Sequence, residues 1–511
     1  MYTFSKNLKN IAFALMILGL VGIVYGFLAA PKTIEEVEKI VAESHHDGAH
    51  HTNAEATHNA HATHEKASID TTHTATSNEE VAKVENDSLH SEIVLSNQAI
   101  TEDTIAHEEA SNLDVAAIHA EEAKDVAKET KVDEEKEHHA HLEHVLHQLQ
   151  NKPWAALYVA CIFFLLISMG VLAFYAIQQV AQAGWSPVLF RVMQGITAYL
   201  PVASVIFFVL LLLSGFHVNH LFVWMKEGVD VVGHENYDKL IAGKTGYLNV
   251  AFWLTRAAIF LLGWNVYRYL SRKNCLAQDE SNDNSFYKKN FKMSAAFLVF
   301  FIVSESIMAW DWIMSVDPHW FSTLFGWYVF ASFFVSGITT ISIVTLYLKS
   351  KGYLENVNTS HIHDLSKFMF GISVFWTYLW FSQFMLIWYS NIPEEVTYFK
   401  TRIEQYNLPF FGAVVMNFIF PFLVLINTDF KRITGIVVFA GIVILFGHYI
   451  DFFNMIMPAT VGDQWFIGVP EISSLMFFLG LFIFVVFTAL TKAPLTPKRN
   501  PFIEESKHFH Y

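Results

Sequence analysis

Residues 433–457 read ITGIVVFAGIVILFGHYIDFFNMIM, an almost unbroken apolar run that contains one histidine, one aspartate and one asparagine. A helix that spans a bilayer needs about 20 mostly apolar residues, and this run has that length. His448, Asp451 and Asn454 are spaced i, i+3 and i+6, so they share one face of the helix. The stretch therefore predicts a transmembrane helix whose polar face lies against a cavity or another helix.

Apolar segments of similar length recur along the chain. Ten spans are predicted, at roughly 11–30, 154–178, 196–215, 247–267, 293–314, 322–346, 368–390, 408–427, 433–457 and 471–491. The first could be a signal peptide, because Lys6 and Lys9 precede it, but its apolar run is longer than the usual length of about 7–15 residues. We therefore expect an all-α integral membrane protein with ten transmembrane helices. In this fold residues 1–30 form an uncleaved anchor helix, and residues 154–491 hold the other nine helices.

Composition excludes most soluble classes of protein. The chain has 511 residues, of which 53% are hydrophobic and 16% charged, whereas a typical soluble domain has about 25% charged residues. The net charge of −15 argues against nucleic acid as a partner. Cys161 and Cys275 are too few for a disulfide framework, an iron–sulfur cluster or a C-x-x-C-H haem attachment. The lipid bilayer is the expected environment.

Lysine and arginine are distributed unevenly between the loops. If the N-terminus is inside, the short inside segments hold 18 of these residues and the short outside loops hold 5. Cytoplasmic loops carry an excess of Lys and Arg. The pattern therefore predicts that both termini are cytoplasmic, including the tail 492–511.

The segment between the first two spans, residues 31–153, is called here the acidic insert. It holds 27 Asp and Glu, 9 Lys and 16 of the 25 histidines, and the predicted topology places it on the periplasmic side. Its first two thirds have too little apolar surface to offset chain entropy and are predicted to be disordered. Residues 115–150 predict a solvated helix that leads into the second span, with Pro153 at the junction. The histidines between 138 and 147 form either a loose divalent-metal site or simply a solvated segment.

Few ionisable residues lie inside the predicted spans. Arg256 is in the fourth, Glu305 and Asp311 are in the fifth, and His448 and Asp451 are in the ninth. With a rise of about 1.5 Å per residue, all five lie in the outer half of the bilayer. Arg256 and Glu305 lie at the same depth, so they are expected to be able to pair.

These five residues allow two interpretations. One is a buried network of ion pairs between helices that supports no turnover. The other is a protonatable cavity, in which Glu305 or Asp311 exchanges protons and His448 and Asp451 act as an orienting or relay pair. In that cavity Arg256 would hold a carboxylate ionised.

The spans offer no obvious site for a redox metal. A membrane b-type haem usually needs two axial histidines in the core, and His448 is the only deep one. There is no P-loop and no H-E-x-x-H motif. In electron transfer the metals would therefore belong to partners, and this chain would offer a quinone pocket, a proton route or a scaffold. Trp376, Trp380 and Trp388 fit either an interfacial aromatic belt or a wall that stacks on a quinone ring.

Residues 304–326 read SESIMAWDWIMSVDPHWFSTLFG. This stretch resembles the membrane subunits of the polysulfide reductase/NrfD superfamily, and within it the ten-span ActF subunits of bacterial alternative complex III, a quinol:cytochrome c oxidoreductase. The distinctive part runs from Asp311 to Gly326, and the resemblance extends over roughly residues 154–491. It implies two four-helix bundles, spans 2–5 and 6–9, with spans 1 and 10 peripheral. It also implies the bacterial inner membrane.

The resemblance implies partners and cofactors as well. The partners would be a multihaem cytochrome c, an iron–sulfur subunit, a monohaem cytochrome c and a sister ten-span subunit that binds quinol. Glu305 stands where that sister subunit has a histidine, six residues before the aspartate that matches Asp311. The resemblance thus favours a subunit without its own redox metal that provides a scaffold and proton-conducting groups. Bound phospholipid is expected.

Two rival functions remain. The chain could be a second quinol-binding subunit of the same complex, with menaquinone or ubiquinone in contact with Asp311. It could instead be a stand-alone secondary transporter, although the sequence has no pair of Gly/Pro-broken spans in matching halves.

Overall fold

The computed structural model describes residues 2–41 and 111–510, and in these ranges the chain is helical, without a strand. Within these ranges ten helices are long and apolar enough to cross a membrane, which confirms the predicted all-α class and the predicted number of such helices. They are α1 Lys6–Ala29, α2 Ser111–Val180, α3 Pro187–Gly215, α4 Val250–Gln278, α5 Ser285–Trp312, α6 Phe325–Ser350, α7 Thr359–Ser390, α8 Asn407–Leu425, α9 Thr434–Val461 and α10 Val469–Leu490.

The chain divides into two compact units. Residues 33–144 form one unit, and residues 1–32 with 145–511 form the other, which holds the membrane helices. In the first unit residues 34–41 are helical, so the predicted disorder does not begin at residue 31. The amide of Glu36 bonds to the Thr33 hydroxyl, 3.4 Å away, and acidic residues follow in the first turn, where they favour a helix. Most of the segment predicted to be disordered lies outside the described residues.

Pro153 does not mark a junction between helices. The helix that contains it runs without a break from Ser111 to Val180. Proline cannot donate the helical hydrogen bond and is disfavoured in a helix interior, yet here the helix continues through it into the second span.

Two helices lie at the centre of the membrane unit. In α2 94% of the most apolar window is buried, and in α6 89%, compared with 22% in α1. Their backbones touch: a Cβ on Gly170 would lie 2.5 Å from the carbonyl oxygen of Phe333, and one on Gly337 would lie 2.8 Å from the amide nitrogen of Val171. Small residues are what allow membrane helices to approach this closely.

The first and last spans pack against each other in the same way. A Cβ on Gly480 of α10 would lie 2.7 Å from the carbonyl oxygen of Ala12 in α1, and one on Gly19 would lie 2.5 Å from the amide nitrogen of Phe477. Most other contacts in the unit join consecutive helices. These are α3 with α4, α4 with α5, α5 with α6, α6 with α7, and α8 with α9, and α6 also packs against α9.

Both ends of the chain lie at one end of the helices, which we call the tail face. Near the C-terminus, the Ser506 hydroxyl donates to the Trp185 carbonyl oxygen at 2.6 Å, and the Lys498 amide donates to Asp279 at 2.9 Å. At the N-terminus, the hydroxyls of Thr3 and Tyr353 are 2.8 Å apart. The described part of the tail is therefore a strap held against the loops of this face.

The loops at the opposite end include one local electrostatic cluster. Asp238 accepts hydrogen bonds from the amides of Leu240 and Ile241, at 2.8 and 3.1 Å, and lies 2.6 Å from Nε2 of His319. The bond to His319, with these amides, holds the pKa of Asp238 below its usual value. The cluster joins the α3–α4 loop to the α5–α6 loop.

Candidate functional site

Arg256 and Asp311 form a bidentate ion pair, which we call the Arg256–Asp311 clamp. Nε of Arg256 is 2.6 Å from one carboxylate oxygen of Asp311, and Nη2 is 2.9 Å from the other. The guanidinium group also donates to the Tyr247 carbonyl at 3.2 Å and lies 4.1 and 4.2 Å from the ring centroids of Tyr247 and Phe252. Bidentate geometry fixes both groups in place.

Arg256 and Glu305, which their equal depth would allow to pair, do not pair, because Arg256 bonds to Asp311 instead. Side chains of a helix lean toward its N-terminus, and the N-terminus of α4 lies at the end opposite the tail face. Arg256 therefore reaches Asp311, which stands six residues, or about 9 Å, nearer that end than Glu305.

Glu305 is buried without a cation among the described residues. One carboxyl oxygen accepts a hydrogen bond from Ser306 at 2.8 Å, and the other has no protein partner. The side chain is 3% exposed. An unpaired carboxylate at such a place is costly, so Glu305 is a position where a proton can be held.

His448 and Asp451 do come together, as their spacing predicts, and other spans complete the cluster around them. Ser332 of α6 lies between the two, with its hydroxyl 2.9 Å from Nδ1 of His448 and 2.9 Å from Oδ2 of Asp451. Trp376 of α7 donates to the same carboxylate oxygen at 2.9 Å, and the Tyr328 hydroxyl donates to the other. We call these five residues the Asp451 cluster.

The donors around Asp451 fit an ionised carboxylate, which can only accept hydrogen bonds. Ser332 has one hydroxyl proton. If it donates this proton to Asp451, the hydrogen bond to His448 requires the proton on Nδ1 of the histidine. The outcome is a continuous line of exchangeable protons from His448 through Ser332 to Asp451 and Tyr328.

A π-helical turn brings α8 to this line. The turn covers Val415–Ile419, and within it the amide of Asn417 lies 3.4 Å from Nδ1 of His448. Nε2 of His448 and Oδ1 of Asn417 are both buried without a protein partner. Such turns are rare and frequently occur at functional sites.

Arg402 is a buried cation near the Asp451 cluster. It lies on the short helix Pro393–Glu404, with its guanidinium group 3.3 Å from the centroid of the Tyr398 ring. It donates to the carbonyls of Tyr398 and Asn454, at 2.9 and 3.1 Å, and makes no ion pair within the described ranges.

A pocket of about 540 Å³ opens beside the Arg256–Asp311 clamp. Tyr247 and Ser315 line it and also contact the clamp. Lys244 and Pro318 also line the pocket, and Nζ of Lys244 donates to the Pro318 carbonyl oxygen at 2.6 Å. Pockets of about 300–1,000 Å³ are of the size that holds small organic ligands.

A third polar network, near the tail face, was not foreseen. The Tyr175 hydroxyl lies within 3.0–3.3 Å of side-chain groups on four residues of α2 to α5: Gln179, Gln194, Ser271 and Asn290. Beside it Arg191 is a buried helical residue 2.6 Å from Asp279. Neutral polar residues near span ends carry too weak a sequence signal to predict such a network.

Both interpretations of the histidines between 138 and 147, a loose divalent-metal site or a solvated segment, stay predictions. Within residues 2–41 and 111–510, no group of three or more His, Cys, Asp or Glu side chains is placed to hold a metal ion. Cys161 and Cys275 are both buried and free.

Comparisons with known proteins assign the chain to no family. No protein-family model matches it, and no curated protein matches it. The family suggested by residues 304–326 therefore remains a prediction from those residues.

Proposed function

We propose that this chain is an integral membrane subunit of a quinol:cytochrome c oxidoreductase of the alternative complex III type, in which it carries protons and supports the complex without a redox metal of its own. The observation that carries the proton role is the line from His448 through Ser332 to Asp451 and Tyr328. Lines of hydrogen-bonded hydroxyl, imidazole and carboxyl groups transfer protons because each member can both accept and donate.

The transfer can be followed atom by atom. A proton that arrives at Nε2 of His448 leaves the ring doubly protonated, and Nδ1 then passes its own proton to the Ser332 oxygen. Ser332 in turn passes its hydroxyl proton to Oδ2 of Asp451. Asp451 becomes neutral, with Tyr328 next to it on the side toward the start of α6.

The two carboxylates of α5 take different roles in this proposal. The carboxylate of Asp311 accepts hydrogen bonds from Nε and Nη2 of Arg256, and it serves as a fixed charge that positions α4 against α5. Glu305 has no counter-ion among the described residues and is the proton-exchanging group.

The resemblance of residues 304–326 supports the assignment to the complex. The partners would be a multihaem cytochrome c, an iron–sulfur subunit, a monohaem cytochrome c and a sister ten-span subunit, all in the bacterial cytoplasmic membrane. We place the tail face in the cytoplasm, because the loops of this face hold most of the Lys and Arg. The contacts among α6, α7, α8 and α9, and among α3, α4 and α5, support two four-helix bundles.

Binding of quinol by this chain is the second candidate. It is favoured by the pocket of about 540 Å³ next to the Arg256–Asp311 clamp, where Tyr247 and Trp310 offer aromatic surface. A quinone found in contact with Asp311 would establish it.

The assignment to a complex is tested by purification in mild detergent, followed by a visible spectrum and subunit mass spectrometry. We expect c-type haem bands at fixed stoichiometry together with an iron–sulfur subunit. A colourless, solitary protein that takes up a substrate in vesicles would support the transporter instead.

The proton role is tested with Ser332→Ala, with Ser336→Ala as its matched control. Ser336 lies one turn along the same helix and is equally buried, and its hydroxyl donates to the Ser332 backbone carbonyl oxygen at 2.8 Å. A positioned proton-transfer group contributes about 10²–10⁴-fold to rate, so Ser332→Ala should lower proton-coupled turnover at least tenfold. Glu305→Gln should also lower turnover and leave assembly intact. Equal turnover of the two serine variants contradicts the proposal.

A further inference from the structure

The lipid side of α3 and α4 holds a groove of about 550 Å³. It is separate from the polar clusters described above. The residues of α3 that line the groove recur every three or four positions, so they lie on one face of that helix. The lining residues of α4 recur in the same way. Val205 and Leu262, on opposite walls, are 66% and 65% exposed, so the groove opens toward the bilayer.

The groove is apolar along most of its length and polar at the end near the tail face. There Asn265 donates to the Ser204 hydroxyl and to the Leu261 carbonyl oxygen, each at 2.8 Å, and its own Oδ1 is buried without a protein partner. One turn further along α4, Arg268 also lines the groove.

Arg268 lacks a counter-ion in the described part of the chain. No carboxylate lies within ion-pair distance of its guanidinium group, and its Nε is buried without a partner. The next turn carries a second cation, Arg272, which donates to the Gln194 carbonyl oxygen at 3.3 Å. A cationic end on an apolar, bilayer-facing groove is complementary to one type of molecule, an anion attached to a long hydrocarbon chain.

We propose that this groove binds one anionic phospholipid, with an acyl chain along the apolar walls and the phosphate at Arg268. Guanidinium groups match phosphate oxygens in geometry and charge. A free phosphate would make no use of the apolar walls, and a quinone, being uncharged, would leave Arg268 without a counter-ion. The site does not depend on the proposed proton role.

The test uses the full chain with any subunits that copurify, placed in nanodiscs of phosphatidylcholine doped with phosphatidylglycerol. Retained lipid is counted by native mass spectrometry after transfer to detergent. We expect one phosphatidylglycerol per chain in the wild type. Arg268→Gln should weaken its retention about tenfold, because a hydrogen-bonded charge is lost. Lys273→Gln is the matched control: it removes a charge from an exposed position on the same helix that does not line the groove.

A second pair of variants tests the acyl-chain position without changing charge. Leu262→Trp fills the groove and should weaken retention about as much as Arg268→Gln. Val299→Trp is the control, because Val299 is 70% exposed on α5, outside the groove.

Three outcomes overturn the proposal: unchanged retention in Arg268→Gln, equal retention of phosphatidylcholine and phosphatidylglycerol, or a quinone in place of the phospholipid in the retained mass. If Arg268→Gln loses the lipid but keeps normal turnover, the lipid site and the proton route are independent of each other.

Discussion

Removal of one partner from the Arg256–Asp311 clamp should destabilise the protein strongly. In Asp311→Asn the guanidinium group stays buried, with its side chain 8% exposed, and faces a neutral amide in place of a carboxylate. Breaking a buried ion pair in this way costs about 3–5 kcal/mol. The rings of Tyr247 and Phe252 remain against the cation and offset a part of this, about 0.5–2 kcal/mol. We therefore expect a loss of about 3 kcal/mol.

The assay can use the protein's own thiols. Cys161 and Cys275 are buried and free, so a maleimide dye that fluoresces on reaction reports their exposure during heating. One kcal/mol shifts Tm by about 2–4 °C in a domain of 150–250 residues and by less in a longer chain. Asp311→Asn should therefore lower Tm by about 5 °C at a fixed scan rate.

The control is Glu504→Gln, which breaks an exposed pair with Lys507 in the tail. Exposed pairs contribute about 0–1 kcal/mol, so Tm should hardly change. The double variant Arg256→Met, Asp311→Leu removes both charges and should recover most of the loss. If Asp311→Asn is as stable as Glu504→Gln, or if the double variant is the least stable of all, our account of the clamp is wrong.

Three further predictions concern other parts of the fold. Because the folded pKa of Asp238 is lowered, its carboxylate stabilises the loops above its ordinary pKa of about 4 and loses this effect as pH falls through the folded value; the Tm difference between wild type and Asp238→Ala should therefore shrink in acid. Gly480→Val should lower Tm because its side chain meets the α1 backbone, whereas Gly371→Val, in open space, should not. Ser506→Ala removes the acceptor 3.2 Å from the Val188 amide, which should exchange about fivefold faster with deuterium.

The helices were predictable from the sequence because a run of about 20 apolar residues is a local signal. The ninth span was predicted at 433–457 and is found at Thr434–Val461. The extra turn at its end contains Pro458, a residue type that local propensity disfavours inside a helix. Tertiary packing, not local propensity, determines such ends.

The partners of the polar residues were less predictable. The i, i+3 spacing of His448 and Asp451 was informative because both belong to one helix. Ser332 and Trp376 lie more than 70 residues away in the sequence, and neither residue type signals a carboxylate neighbour. The depth of each residue along its helix placed Glu305 opposite Arg256. Depth does not include the direction of the arginine side chain, which leans toward Asp311.

The α6–α7 loop receives both ends of the chain: Thr3 reaches Tyr353, and Asn358 donates to the carbonyl oxygen of Phe509 at 2.5 Å. These contacts require α1, α6, α7 and α10 to have the correct orientation in the bilayer. A chain that inserts one span too few, or inverts one, leaves an end on the wrong side of the membrane, and that end cannot reach the loop. These contacts of the α6–α7 loop thus form only when the intervening spans are correctly oriented, so their formation reports correct membrane topology.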